Sequence, residues 1–336
     1  MLSTDARAAT DDLSLHGAWN QARTLGLLPS WLSRAQVGAT AFDEVFQKGN
    51  LRFIKYRGPR TQKHPIVIIP SLINRHYILD LLPGRSLVEA FTQAGFETYM
   101  MAWGHPPAED RYLTPEELFE RRILKAIEMA SRETGQVHLV GQCLGGTLAT
   151  IAALIAPEKI ATLSLLTAPL NFENSGQLGE WAKTETLDID ALVEAYGNVP
   201  ATLLHTSFQF LKPSMPFTKY SKLFARRKDE EFIINFIAME MWANDAISFP
   251  GLCYKFIIEE LYRKNQITLG GRRLDFEALK MPILDAMATD DHIVPIQTRL
   301  PLERAYRKDL SGGHIGGVIG SSARKNFWPE WIEWLK

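Results

Sequence analysis

A chain of 336 residues and 37.9 kDa, 46% hydrophobic and 22% charged, holds enough apolar material for one large α/β domain or two ordinary ones and excludes global disorder. Lys+Arg of 37 against Asp+Glu of 38 excludes a basic field for non-specific nucleic-acid binding. Two cysteines, Cys143 and Cys253, exclude a disulfide framework and suggest a reducing compartment; with no apolar signal region at the N-terminus and no run near the roughly 18 apolar residues of a membrane helix, a cytoplasmic protein is expected.

Residues 1–50 read as an N-terminal helical segment, with Ala41, Val45 and Phe46 punctuating a polar stretch. The organised part begins at His64, where HPIVIIP is a short β-branched run and reads as a buried strand. SLVEAFTQAG follows as a helix with Ser86 at its N-cap and Gly95 just past its end, and FETYMMAW is the next strand. Thr114, Pro115 and Glu117 form a capping box that opens a helix with Phe119, Ile123, Ile127 and Ala130 on one face. VHLVG, ATLSLLTA and MPILDAMAT are further buried strands, and GGTLATIAALIA is a helix of small residues suited to close packing on a sheet. Short apolar strands alternating with helices predict an α/β fold, a mostly parallel sheet with helices on both faces. The alternation lapses over 171–279, which reads as a helical cap inserted into a core of 51–170 and 280–336.

The sharpest feature is VHLVGQCLGG: a strand, then Gly141-Gln142-Cys143-Leu144-Gly145-Gly146, then a helix. That layout suits a nucleophile elbow, in which flanking glycines let strand and helix approach while a strained turn lifts the nucleophile above the sheet. A nucleophilic Cys143 needs a base and an acid to orient it. Asp291 in ATDDHIVP and His314 in SGGHIGG follow in the expected order, each just past the end of a strand. Asp290 is the rival acid, and His292, beside Asp291, is a candidate supporting residue behind the triad. His138 reads as a core or interface histidine, and His76 and His105 as loop histidines. The backbone N–H groups of Leu144 and of Leu72 or Ile73, with Ile73 favoured, are the candidate oxyanion donors. A thiolate exchanging with a thioester conserves the acyl group's transfer potential, which favours acyl transfer over hydrolysis. No metal-binding spacing and no dinucleotide or P-loop pattern follows a strand, so neither metal nor bound cofactor is expected.

GQCLGGTLATIAAL, PSLINRHYILDLLPGRSLVEAF, MMAWGHP, FPGLCYKFIIEELYRKNQI, DHIVP and SGGHIGGVIG together resemble the polyhydroxyalkanoate synthases, from about His64 to Gly320. The resemblance implies the α/β-hydrolase fold with a cap and a Cys143–His314–Asp291 triad. It implies acylation of the cysteine by a 3-hydroxyacyl-coenzyme A, with Asp291 helping to activate the hydroxyl of the next substrate. It further implies growth of a polyester chain, release of coenzyme A as part of the substrate, a homodimer, a noncatalytic partner subunit and residence on polymer granules. In the family a buried strand runs between the aspartate and the histidine; IQTRLPLERAYRKDL is charged and helix-like, so that strand is expected to be short or missing. A cysteine thioesterase or polyester depolymerase on the same fold, and a noncatalytic granule-associated paralogue, are the alternatives. Phe208, Phe210, Phe217, Phe224, Phe232, Phe236, Trp242 and Phe249 are candidates to line an apolar acyl route, and Arg226-Arg227-Lys228 a candidate contact for coenzyme A phosphates.

Overall fold

The computed structural model describes residues 34–211 and 215–336, the side chains of 215–218 excepted. Eight strands form one sheet: β1 (Phe42–Lys48), β2 (Leu51–Tyr56), β3 (Ile66–Ile69), β4 (Thr98–Trp103), β5 (Val137–Gln142), β6 (Ile160–Leu166), β9 (Ile283–Ala288) and β10 (Tyr306–Leu310). A separate two-stranded ribbon is made by β7 (Thr268–Leu269) and β8 (Arg272–Arg273). The order across the sheet is β1-β2-β4-β3-β5-β6-β9-β10, antiparallel from β1 to β4 and parallel from there on.

The strand alternation builds two apolar layers. Val67, Ile69, Leu139 and Leu163 face one of them, and Ile66, Ile68, Val140 and Leu284 face the other. Strands covered on both faces carry no polar alternation, which is why HPIVIIP reads as a continuous apolar run. Local signals set the element ends. The Ser86 hydroxyl accepts from the Glu89 N–H at 3.0 Å, and the Thr114 hydroxyl from the Glu117 N–H at 3.2 Å. Between β6 and β9 the chain leaves the sheet to build a series of helices, among them Ala201–Phe210, Glu230–Asn244 and Gly251–Phe256, before it returns.

Two expectations are corrected. Residues 42–48 are a strand: β1 pairs with β2 through a two-residue turn at Gly49 and Asn50, with Gly49 at φ +55°. A Gly-Asn pair between apolar-alternating runs favours such a hairpin. Phe42 and Phe46 pack on Tyr56 and Phe53 across it, a contact no isolated helix supplies. The helical reading of residues 1–33 lies outside the described residues. The strand before His314 is present: β10 runs parallel to β9 from Tyr306↔Leu284 to Leu310↔Ala288. It is an edge strand with mostly exposed side chains, so its charged composition, YRKDL, hides it from a search for buried apolar runs.

Candidate active site

β5 ends at Gln142, and Cys143 turns the chain into the helix Leu144–Ile155 with φ +55° and ψ −131°. A non-glycine residue there stores about 1–3 kcal/mol of strain, tolerated only where the surroundings enforce it. They do so from both sides. The Cys143 N–H donates to the Leu166 carbonyl at 2.9 Å, and its carbonyl accepts from the Gly146 N–H at 2.8 Å. The glycines make the approach possible, since a Cβ on Gly145 would lie 2.1 Å from the Ile69 carbonyl oxygen.

His314 comes from the loop after β10 and Asp291 from the loop after β9. His314 Nδ1 and Asp291 Oδ2 are 2.6 Å apart, both side chains being buried. Asp291 Oδ1 accepts from the N–H groups of Ile293 at 2.9 Å and Val294 at 3.0 Å, so the carboxylate is fixed at both oxygens. His314 and Cys143 line the same cavity, and the sulfur is among the groups that shift the imidazole. The three residues singled out in the sequence therefore meet, whereas the rival Asp290 is exposed.

Burial works against a charged His314, but the Cys143 sulfur and the hydrogen bond to Asp291 outweigh it and push the imidazole up to about 10.

The Cys143 side chain opens into a cavity of about 730 Å³, walled by the sheet's loops and by helices of the excursion between β6 and β9, the cap helices. Ile73, His292 and His314 line it on the sheet side, and Phe208, Phe232, Phe236 and Trp242 on the other. Leu144 opens its helix, so its N–H is one that the helix's own carbonyls do not reach. The Ile73 N–H has only a 3.4 Å contact with the Ser71 hydroxyl, while Leu72 is buried in the core. His292, expected behind the triad, faces the cavity itself.

Other candidates fall elsewhere. Phe249 is buried in the core, Phe210 and Phe224 are exposed, and the side chain of Phe217 lies outside the described residues. Arg226 pairs with Asp229 and stacks 4.1 Å from the centroid of Phe232, and Arg227 lies 4.5 Å from that of Phe224. His138 is packed between His64 and Phe96, and burial lowers it to about 4; burial also lowers His76, to about 3. Cys253 donates to the Leu113 carbonyl, and burial pushes its thiol well up. The sequence reading missed His205 and the Lys219–Glu240 ion pair at 2.8 Å, all on the cavity wall. No local pattern marks them, because only the packing of the cap helices brings them there.

Comparison with known proteins adds to this geometry. A family model described as alpha/beta hydrolase fold matches residues 65–318, and one described as poly-beta-hydroxybutyrate polymerase (PhaC) N-terminus matches residues 33–91. The chain is 33% identical to the poly(3-hydroxyalkanoate) polymerase subunit PhaC of Haloferax mediterranei, over 90% of this chain and 65% of that one, a little under two thirds of the relative's length. It is 31% identical to the protein of the same description from Synechocystis sp., over 89% of this chain and 85% of that one. Among solved structures, a putative lipase from Sulfolobus solfataricus is similar with a TM-score of 0.55 at 12% identity, over 88% of this chain and 98% of that one, which shows the α/β-hydrolase fold. Among the described residues, no helix is long and apolar enough to cross a membrane.

Proposed function

The chain belongs to the PhaC family of poly(3-hydroxyalkanoate) polymerases, and from that premise we propose that it polymerises 3-hydroxyacyl groups delivered as coenzyme A thioesters, through an acyl-enzyme on Cys143. The observation that carries the reading is the buried His314–Asp291 pair at 2.6 Å beside a cysteine held on a strained turn at a cavity floor.

The steps follow from the positions. His314 takes the proton of the Cys143 thiol, and the sulfur attacks the thioester carbonyl. Negative charge gathers on the carbonyl oxygen, where the N–H groups of Leu144 and Ile73 are the donors. Collapse expels the coenzyme A thiolate, which takes the proton from His314, and leaves the acyl group on Cys143 as a thioester. The hydroxyl of a second 3-hydroxyacyl group then loses its proton to His314 and attacks that thioester. An ester bond forms and the Cys143 sulfur is released. Exchange of thioester for thioester is near balance, so the free energy is kept for the ester-forming step. The apolar cap side chains suit acyl chains and exclude water that would otherwise hydrolyse the acyl-enzyme. Coenzyme A enters only as part of the substrate. A noncatalytic partner subunit belongs to the same proposal, supported by the description of the relatives as subunits, and a homodimer and residence on polymer granules belong to it as what the family resemblance implies.

Supplying 3-hydroxybutyryl-coenzyme A and recovering the product tests the reading. Polymer is expected; recovery of free 3-hydroxybutyrate alone would replace polymerisation by hydrolysis. Asp291 carries its own prediction. Its side chain is fully buried and bound at both oxygens, so it reaches the reaction only through His314. Asp291→Asn is therefore expected to slow first acylation and elongation together, by roughly 10²–10⁴-fold. Loss confined to elongation, measured by burst size against steady-state coenzyme A release, would instead mean that the carboxylate acts on the incoming hydroxyl.

A further inference from the structure

The loop after β3 is fastened to the cap at several points. The Ile247 N–H donates to the Ile73 carbonyl at 2.9 Å, and Asn74 and Ala246 form an antiparallel bridge. The Trp242 indole N–H donates to the Arg75 carbonyl at 2.8 Å. Between these backbone ties sits Asp245, 5% exposed at the end of the helix Glu230–Asn244. Its Oδ1 accepts from Arg75 Nε at 3.1 Å and its Oδ2 from the Tyr77 hydroxyl at 3.0 Å. Asp245 stands behind the cavity wall, while its neighbours Asn244 and Ala246 line it. One cap carboxylate therefore grips, through two side chains, the loop that carries Ile73.

We propose that Asp245 is a positioning residue that, through Arg75 and Tyr77, holds the 71–77 loop so that the Ile73 N–H faces the oxygen of the reacting carbonyl, making the oxyanion site dependent on the seating of the cap. The proposal rests on the acyl-transfer reading above. The physical reason is that the Ile73 N–H lies on a loop past the end of β3, outside the main sheet, where its direction depends on the contacts that the loop makes with the cap. Hydrogen bonds to a charged, buried acceptor resist rotation more than bonds to a neutral one. A donor turned away from the oxyanion costs the attack on a carbonyl, and costs nothing in a reaction that forms no oxyanion.

That contrast supplies the test. Wild type, Asp245→Asn and Tyr77→Phe are compared in two single-turnover reactions at Cys143, followed by intact mass. One is acylation by saturating 3-hydroxybutyryl-coenzyme A, which passes through an oxyanion; the other is alkylation by iodoacetamide, which does not. Asp245→Asn is expected to slow acylation about 10–100-fold while alkylation stays within about twofold, and Tyr77→Phe to slow acylation less. Adding Tyr77→Phe to Asp245→Asn is expected to cost less than it does in the wild type, since the hydroxyl acts through the carboxylate. Unchanged acylation in Asp245→Asn overturns the proposal. Equal loss in both reactions also overturns it, by marking a general disturbance of the site. Wild-type protein that alkylates at Cys143 but takes no acyl group overturns the acyl-transfer reading itself, and the proposal with it.

Discussion

Cys143→Ser is expected to retain the fold and lose acyl transfer by orders of magnitude, toward the roughly 10⁶-fold scale of removing a nucleophile from a catalytic triad. The substitution exchanges one small atom for another at a site where the backbone, fixed by Leu166 and Gly146, sets the geometry. Melting temperature should barely move. Chemistry should suffer because a thiol ionises near 8.5 in isolation, whereas a hydroxyl becomes nucleophilic only as a base removes its proton during attack. An oxygen ester in place of the thioester would also spend the transfer potential that the next step needs. Coenzyme A release and intact mass after brief exposure to 3-hydroxybutyryl-coenzyme A measure both points. Cys253, buried against the Leu113 carbonyl, serves as the internal control, since it should stay unmodified in wild type and variant alike. Undiminished turnover in Cys143→Ser would remove the sulfur from the mechanism.

How much of this is legible in the sequence depends on which forces shape each element. Strands buried on both faces announce themselves as apolar runs, so β3, β4, β5, β6 and β9 are readable from composition alone. The edge strands are not. β1 and β10 owe their conformation to a neighbour's hydrogen bonds and keep polar side chains for the solvent, so composition makes one a helix and the other short or absent. Cys143, Asp291 and His314 are legible because the elbow and the strand ends fix where side chains emerge. The cap's share of the cavity is not. Amphipathic helices mark an apolar face without saying what it meets, so Phe232 and Phe236 reach the cavity while Phe249 joins the core. The grip of Asp245 on Arg75 and Tyr77 joins residues 170 and 168 positions apart and leaves no local trace.

The second large effect is expected from a residue with no side chain. A Cβ on Gly145 would lie 2.1 Å from the Ile69 carbonyl oxygen and 2.5 Å from that of Pro70, and both are backbone atoms. A flexible side chain could swing aside, but here the end of β3 or the start of the helix Leu144–Ile155 must move. Gly141 makes the same demand from the other flank, its added Cβ falling 2.4 Å from the Gly146 Cα. Gly145→Ala is expected to destabilise by about 1–3 kcal/mol, the usual cost of overpacking, and to lower the melting temperature by several degrees. Activity should fall further than stability, because the displaced segments are those that carry Cys143 and lead into the Ile73 loop. Gly104→Ala is the comparison: its nearest neighbours would be 3.5 and 3.6 Å away, ordinary contact, so melting and turnover should stay near wild type. Thermal melts paired with single-turnover acylation at a temperature where both variants are folded separate the two losses. If Gly145→Ala melts and turns over like Gly104→Ala, strand and helix do not meet closely enough to hold the elbow under strain, and the lift of the sulfur into the cavity needs another cause.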